Sequence, residues 1–324
     1  MIQRRRLLQG LGASSLATLP LARAQTTAWP ARPIKFIVAF APAGPADIIG
    51  RLLAQPLGDA LGQNIVVENR AGAGGSLGSG VVAKADPDGY TILINTSAYA
   101  VNPAMDRNQS FDAEKDLVLA ALVASSPNLI VAAPKLPART LKDAIAAARG
   151  GSYNYATAGA GTTPHLSAEY LFKVLGKVNV THVPFKGAGP ALSAVAGGQV
   201  ELASVALPSA VELVKSGNVR GLAVTSARRV ASMPDVPTVA ESGFPGFEDL
   251  TWVGVFVPSK TPVAIVQRLN REVAAILRQP AFQARLATTG FEPMGGSLAE
   301  VQAFLQADLR KWAKVVKETG ATAD

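Results

Sequence analysis

Short apolar runs rich in β-branched residues alternate with segments of helical periodicity along most of the chain. The runs that predict buried strands of a mostly parallel sheet lie at residues 34–40, 65–68, 91–95, 129–133, 153–156, 200–205, 219–225 and 251–257. Helical spacing of apolar residues predicts crossover helices at residues 47–61, 141–148, 165–175, 209–215 and 262–278. Such βαβ alternation is typical of an open, doubly wound sheet with right-handed crossovers.

Two of the predicted helices carry further signals. Pro56 lies inside the first helix and predicts a kink there. The last helix opens with a capping box from Ser297 to Glu300 and carries an apolar stripe from Val301 to Val316. We interpret this stripe as a packing surface and not as a cofactor site.

The first 24 residues predict an export signal. Arg4, Arg5 and Arg6 precede a weakly apolar run at residues 7–21, and Ala22-Arg23-Ala24 has the small-x-small form of a cleavage site. The mild apolar run after paired arginines is typical of twin-arginine signals. A membrane anchor would need ~20 strongly apolar residues. We therefore expect cleavage near Ala24 and a periplasmic protein.

Length and charge narrow the class of protein. Without the signal, about 300 of the 324 residues remain, which suits two lobes of ordinary domain size. The signal contains four arginines and no acid, so its removal lowers the formal charge from +8 to +4. Arg228-Arg229 is the densest basic pair in the rest of the chain, and no basic cluster has interleaved aromatic residues. We therefore expect no nucleic-acid partner.

A small-residue loop follows the first predicted strand and opens the first predicted helix. Such a loop leaves backbone N–H groups at a helix N-terminus free to bind a carboxylate. An ordinary strand-to-helix turn would have the same pattern, and this alternative stays open. Asp47 would cap the helix or brace the loop. The candidate ligand-binding residues of this first loop are Phe40, Ala43, Gly44, Ala46 and Asp47.

A second loop of the same kind follows the strand at residues 153–156. Pro164 suits the first position of a helix, and threonine hydroxyls before it can cap the helix or bind an anion. Two facing loops, one in each lobe, would form a pair of anion sites. The candidate ligand-binding residues of this second loop are Thr157, Ala158, Gly159, Gly161, Thr162, Thr163 and His165.

Two further positions are candidates for ligand contacts. Lys186 lies in a glycine-rich segment and would add positive charge, although a solvated surface lysine is the more common outcome. Ser97, just after the strand at residues 91–95, is also a candidate. The glycine-rich residues 72–78 fail the dinucleotide-binding pattern because Leu77 stands where glycine is required, so we interpret them as a tight turn.

The residue inventory argues against most enzyme classes. His165 and His182 are the only histidines and the chain has no cysteine, so metal motifs with paired histidines and thiolate sites are excluded. A G-x-S-x-G sequence occurs at residues 74–78, but it lies in the glycine-rich turn and does not directly follow a predicted strand, as a nucleophile elbow would. We expect no catalytic residue, no metal and no cofactor. A periplasmic hydrolase that uses a serine with one of the histidines remains the alternative.

Several segments together resemble the Bug receptors, the periplasmic substrate-binding proteins of tripartite tricarboxylate transporters. The resemblance extends from about residue 29 to the final helix. The segments that carry it lie at residues 33–47, 66–75, 86–90, 102–103, 184–187, 197–200, 207–210 and 222–237.

The resemblance implies a type II-like periplasmic-binding-protein fold with two α/β lobes that close on a ligand between them. It places lobe 1 at residues 25–124 and 249–324, and lobe 2 at residues 125–248. It also implies that the first two loops hold a ligand carboxylate, partly through ordered water. The implied partners are the small organic carboxylate and membrane transporter subunits, with a signalling protein as the alternative, and the implied state is a monomer.

The chain departs from the family pattern at two ligand-related positions. Ala43-Gly44 stands where the family has Gly-Gly, so one backbone position is less permissive. Ser204-Val205-Ala206 stands where the family has Phe-Asp-Asn. Val205 thus removes the acid that would pair with a ligand ammonium. We expect the ligand to be a carboxylate without an amino group, either aliphatic or aromatic.

Overall fold

A computed structural model describes residues 29–106 and 109–319, and the predicted export signal lies outside these residues. The strands are β1 Ile34–Val38, β2 Ile65–Asn69, β3 Thr91–Thr96, β4 Leu117–Ala132, β5 Tyr153–Thr157, β6 Val180–Pro184, β7 Leu202–Ala206, β8 Arg220–Val224, β9 Leu250–Pro258 and β10 Glu292–Pro293.

The helices alternate with these strands along most of the chain, and six of them correspond to helices that the sequence predicts. They are α1 Pro45–Leu61, α2 Ser76–Ala83, α3 Ala98–Met105, α4 Leu141–Gly150, α5 Thr163–Glu169, α6 Ala188–Ala196, α7 Leu207–Lys215, α8 Val263–Leu277, α9 Pro280–Thr288 and α10 Leu298–Thr319. A π-helical segment, Tyr170–Leu175, continues α5. None of the helices in the described ranges is both long and apolar enough to cross a bilayer.

The strands form one sheet in the order β2-β1-β3-β9-β4-β7-β5-β6, and β8 and β10 also pair with β4. The outer strands are parallel: β1 pairs with β2 and β3, and β5 pairs with β6 and β7. The central strands β4 and β9 run antiparallel to their neighbours. The predicted parallel order therefore holds in the outer strands, and two crossing strands join them.

Three apolar clusters fill the core. The first contains buried residues from 34–124 and 252–316, together with Leu166. The other two lie on either side of the outer sheet formed by β5–β8 and draw their residues from 129–247. We call the region around the first cluster the first half and the region around the other two the second half. The lobe limits at residues 124/125 and 248/249 stay a prediction.

The predicted strands are confirmed with their ends shifted by no more than two residues, except that β4 begins at Leu117. Helix α1 continues through Pro56 and ends at Leu61, and it is capped by Gly62, whose φ of 72° suits glycine. The expected tight turn at residues 72–78 is a 3-10 turn, Ala73–Gly75, followed directly by α2. The predicted capping box of the last helix is confirmed by hydrogen bonds between Ser297 and Glu300 in both directions.

Candidate ligand-binding cleft

A small cavity of about 20 Å³ lies where the two halves meet. Its walls are mostly apolar, and none of the described side chains that line it carries a charge. The lining residues are Phe40, Gly44, Pro45, Thr96, Ala158, Thr162, Pro164, Ala188, Ala206 and Thr251. A cavity of this size admits about one water molecule. A carboxylate could therefore enter only if the halves move apart or the walls rearrange.

The first loop connects β1 to α1 and borders this cavity. Gly44 is the N-cap of α1 and Pro45 occupies its first turn, where a missing N–H costs nothing. Ala43 has a φ of 64°, in the left-handed region that glycine favours. The N–H groups of the first helical turn have no partner inside the helix. The start of α1 therefore offers backbone donors beside the cavity.

Asp47 braces this first loop from inside. Its carboxylate accepts hydrogen bonds from the Ala43 N–H at 3.1 Å, from Arg51 Nε at 3.0 and 3.1 Å, and from Asn69 Nδ2 at 2.9 Å. Asn69 also donates to the Phe40 carbonyl. Burial raises the pKa of Asp47, but these hydrogen bonds outweigh burial and hold it below its ordinary value. Asp47 is therefore a buried anion that shapes the loop, with its acceptors used within the protein.

The second loop connects β5 to α5 and faces the first. The Thr162 hydroxyl caps α5 by accepting from the His165 N–H, and it donates to the Gly159 carbonyl at 2.8 Å. Gly161 has a φ of 74°, and a β-carbon there would lie 1.9 Å from the Asn102 side-chain oxygen of the first half. Glycine at this position is what allows the two halves to approach.

Two stacked histidines lie beneath the second loop. Their ring centroids are 4.0 Å apart, and the ring of Tyr155 also stacks on His182, with the centroids 5.0 Å apart. His165 Nδ1 accepts from the Gly161 N–H at 3.4 Å, and His182 Nε2 lies 2.7 Å from the Thr157 hydroxyl. Burial lowers the pKa of His165 to about 4 and that of His182 to about 3. Both rings are therefore neutral braces of the loop.

Direct hydrogen bonds cross from one half to the other around the cavity. The Ala41 N–H donates to the Lys186 carbonyl at 3.0 Å. The hydroxyls of Ser97 and Thr163 lie 3.1 Å apart, and Thr163 is 2.7 Å from the hydroxyl of Thr251. These contacts hold the halves in a closed arrangement.

The structure brings only part of the predicted site to the cavity. Phe40, Gly44, Ala158 and Thr162 line it. The others surround it as loop braces or cross-cleft contacts, or lie elsewhere. These are Ala43, Ala46, Asp47, Ser97, Thr157, Gly159, Gly161, Thr163, His165, Lys186 and Val205.

Two of these residues differ most from their expected positions. The Lys186 side chain is exposed, and only its backbone carbonyl takes part in the contact across the cleft. Val205 is fully buried in the core of the second half, because β7 alternates its side chains between the two faces. Its neighbour Ala206 lines the cavity in its place.

Sequence reasoning missed several lining residues. Thr96 ends β3, one residue beyond the predicted strand, and its position at a strand end was an available signal. Pro45 and Pro164 lie inside the two predicted loops. Ala188 lies in the glycine-rich segment that contains Lys186. Thr251 comes from a distant segment, and no local pattern marks it as a site residue.

The part of the chain that the structure describes contains no group of three or more His, Cys, Asp or Glu side chains that could hold a metal ion. The carboxylates near the cleft are committed to other partners: Asp47 to Arg51, and Glu169 to Lys173. The chemistry available at the cavity is therefore hydrogen bonding from backbone and hydroxyl groups, together with apolar contact.

Comparison with known proteins identifies the family. Residues 49–321 match the family described as the tripartite tricarboxylate transporter family receptor, which is most of the chain. The chain belongs to this receptor family. The receptor is 37% identical over 297 residues to protein BugT of Bordetella pertussis, a match that covers 90% of the receptor and 91% of BugT.

Solved structures agree with this result. Rpa4515 of R. palustris, determined with adipate, is 36% identical to the receptor with a TM-score of 0.87, and the match covers 91% of the receptor and 99% of that chain. MatC (Rpa3494) from Rhodopseudomonas palustris, with bound malate, is 32% identical with a TM-score of 0.82, covering 89% and 99%. The resemblance to Bug receptors and the two-lobed periplasmic-binding-protein fold are thereby confirmed.

Proposed function

We propose that the receptor captures a small organic carboxylate that lacks an amino group, closing its two halves over it in the periplasm. The captured ligand is then delivered to membrane subunits of a tripartite transporter. The observation that carries the proposal is a cavity at the junction of two strand-to-helix loops, one from each half, with no charged side chain among the lining residues that the structure describes.

The chemistry of the cavity favours a carboxylate held by backbone donors. Gly44 and Pro45 place the start of α1 at its wall, and Thr162 and Pro164 place the start of α5 there. Helix N-termini attract anions through free N–H groups and the helix dipole. The family relatives determined with adipate and with malate support a ligand of this chemical class.

The apolar walls define the rest of the ligand. A ligand ammonium would need a buried counter-charge, and the lining residues supply none. Phe40, Ala158, Ala188 and Ala206 would instead contact a hydrocarbon or aromatic body. The ligand is therefore an aliphatic or aromatic carboxylate, not an amino acid.

The hydrogen bonds and burial of the two histidines favour ligand binding without catalysis. Catalysis by a serine would require a histidine within hydrogen-bond reach of its hydroxyl and able to take up a proton. His165 and His182 bond instead to the backbone N–H of Gly161 and to Thr157. Burial lowers the pKa of both rings, which weakens them as bases. The family is also one of receptors, and we propose that this chain acts as a monomeric receptor and not as a hydrolase.

Thermal-shift and calorimetric titrations test the ligand class. Adipate, malate and benzoate serve as carboxylates without an amino group, and aspartate and glutamate as matched amino acids. A ligand that binds only the folded state increases the free energy of unfolding by RT ln(1 + [L]/Kd) and therefore raises the melting temperature. We expect a response to at least one of the first group. Tight binding of aspartate or glutamate with no response to the others would overturn the proposal.

The transport role is tested in cells. Deletion of the gene should abolish uptake of the bound carboxylate, and cell fractionation should recover the mature protein from the periplasm. Unchanged uptake, with loss of a transcriptional response to the same carboxylate, would favour a sensing role.

A further inference from the structure

A continuous chain of hydrogen bonds runs from the crossing strands into the cleft. The hydroxyls of Ser97 and Thr163 are 3.1 Å apart, and those of Thr163 and Thr251 are 2.7 Å apart. Thr251 Oγ1 donates to Asn128 Oδ1 at 2.7 Å, and Asn128 Nδ2 donates to Asp249 Oδ2 at 2.7 Å. All five side chains are at most 9% exposed, so water does not compete for these bonds.

The Asp249 end fixes the orientation of the chain. Asp249 Oδ2 accepts from Asn128 and also from the Ser167 hydroxyl. Burial raises the pKa of Asp249 to about 6, so the carboxylate still predominates at neutral pH. Because only the amide nitrogen of Asn128 can donate to it, the amide oxygen of Asn128 must point towards Thr251.

Thr225 fixes the backbone at the same place. Its hydroxyl accepts from the Asn128 N–H at 2.8 Å and donates to the Asp249 carbonyl at 2.6 Å. The Thr225 N–H donates to the Asn128 carbonyl, and the Asp249 N–H donates to the Thr225 carbonyl. We call Asn128 and Asp249 the anchor of the chain. Through Thr225, the anchor ties together three separate segments of the backbone.

The orientation of Asn128 determines which group donates and which accepts in each hydroxyl hydrogen bond of the chain. A hydroxyl has one proton to donate. Thr251 gives its proton to Asn128, so it must accept from Thr163. Thr163 has then used its own proton and must accept from Ser97. The chain is thus ordered in one direction, from Ser97 to Asp249.

The first bond of the chain, from Ser97 to Thr163, joins the two halves, as the bond from Thr163 to Thr251 also does. Ser97 follows β3 of the first half, whereas Thr163 begins α5 of the second. This bond can form only when the halves are closed. We propose that Asn128 and Asp249 are positioning residues that orient a hydroxyl latch, Ser97 to Thr163, which stabilises the closed receptor. The inference rests on the proposed function, because closure is how such a receptor retains its ligand.

A matched pair of variants tests the latch itself. Thr163→Val keeps the shape of the side chain and removes the hydroxyl, whereas Thr163→Ser keeps the hydroxyl. Thr163→Val loses the hydrogen bonds to both Ser97 and Thr251 and should weaken binding of the best carboxylate about tenfold, whereas Thr163→Ser should stay near wild type. Adipate, malate and benzoate are the probes, measured by calorimetry.

A charge swap tests the anchor. Asn128→Asp places two carboxylates together and should weaken binding at least as much as Thr163→Val. Asn128→Asp/Asp249→Asn restores a donor facing an acceptor and still offers an oxygen to Thr251, so it should recover affinity. If the two residues served only to stabilise the fold, exchanging them would not be expected to restore ligand affinity. Failure of the swap to recover affinity, with Thr163→Val unaffected, overturns the proposal.

Closure of the two halves is measured separately from ligand affinity, by the distance between two spin labels. The chain has no cysteine, so cysteines introduced at exposed Ala60 and Ala147 can carry spin labels, one in each half. Pulsed electron paramagnetic resonance should show a smaller closed fraction in Thr163→Val than in Thr163→Ser. Equal fractions would overturn the latch while leaving the proposed function intact. If wild type binds none of the probes, the proposed function fails, and the label distances without ligand still decide the latch.

Discussion

Ala43 bears a backbone conformation that its side chain disfavours. Its φ of 64° lies in the left-handed region, where a β-carbon costs roughly 1–2 kcal/mol. The hydrogen bond from the Ala43 N–H to Asp47 holds the residue in this conformation. The family pattern places glycine at this point of the loop, so the departure stores strain beside the cavity.

Ala43→Gly should therefore stabilise the receptor. Relief of strain exceeds the roughly 0.5–1 kcal/mol that glycine loses through its greater freedom in the unfolded chain. We expect a net gain of up to ~1 kcal/mol in the free energy of unfolding, measured by urea denaturation. Ala46→Gly is the matched control, because Ala46 lies in α1 and should lose stability. Equal losses in both variants would contradict the prediction.

The buried histidine pair predicts a specific pH dependence of stability. Their folded-state pKa values, about 4 for His165 and about 3 for His182, lie below the ordinary value of 6.5. Below pH 6.5 the unfolded chain binds protons that the folded rings do not. The stability that the neutral pair confers is thus complete above about pH 6.5 and falls as the pH is lowered towards about 4.

His165→Gln/His182→Gln removes this titration. Urea unfolding at pH 7, 6, 5 and 4.5 should show a smaller loss of unfolding free energy in the variant than in wild type. The slope is the readout, because the substitutions also change packing at every pH. The pKa of Asp249 is raised, whereas those of the histidines are lowered. Because Asp249 is present in both proteins, its contribution to the pH dependence cancels in the comparison. Identical slopes would count against the assigned pKa shifts.

At the scale of elements, helix α1 contains a residue that destabilises it. Pro56 lies in its interior, where proline lacks the N–H that would bond to the carbonyl of Leu52. Pro56→Ala should raise the free energy of unfolding by ~1–3 kcal/mol and leave ligand affinity unchanged. Pro280→Ala at the start of α9 is the control, because proline is favourable there and no gain is expected. A gain in the control alone would refute the explanation.

Elements with strong local patterns were predictable. The strands at β1, β3 and β9 are apolar runs, and α8 and α10 have clear amphipathic spacing, so each was found near its observed ends. Helices α2, α3, α6 and α9 were not predicted. Pro103 lies inside α3, and α6 begins in the segment Gly187 to Pro190, so local breaker signals hid these two. Their formation depends on tertiary packing, which local sequence does not encode.

The candidate site shows the same division. The two loops were found because small residues between a strand and a helix have a recognisable order. Thr251 was missed as a site residue because it lies 88 positions from its partner Thr163 and meets it only after β9 crosses the sheet. Val205 was expected at the ligand because the family pattern marks that position, but its side chain faces the core. Sequence pattern locates loops better than it locates the faces of strands.

At the scale of the whole molecule, closure depends on glycines where backbone meets backbone. Gly187 and Gly189 of the second half lie against Ala41 and Pro42 of the first loop. A β-carbon on Gly189 would lie 2.7 Å from the Pro42 carbonyl oxygen, closer than real contacts allow. Gly189 lies in α6 and has no positive φ that requires glycine. Its lack of a side chain therefore serves the approach of the two halves.

Gly189→Ala should separate ligand binding from folding. The added methyl group should raise helix propensity in α6 by up to ~1 kcal/mol, so the unliganded receptor should unfold at an equal or higher urea concentration. The same methyl meets Pro42 only on closure, and we expect the affinity for the bound carboxylate to fall about tenfold or more, since 1.4 kcal/mol of steric cost suffices.

Gly150→Ala is the matched control for this variant. Gly150 ends α4, and a β-carbon there would meet nothing within 4 Å, so it should change affinity little. Unchanged affinity in Gly189→Ala would show that the halves need not approach as closely as here to hold the ligand. Equal loss of affinity in both variants would point to a general effect of glycine replacement. Weaker binding in Gly189→Ala alone, with folding preserved, would tie ligand capture to contact between the halves.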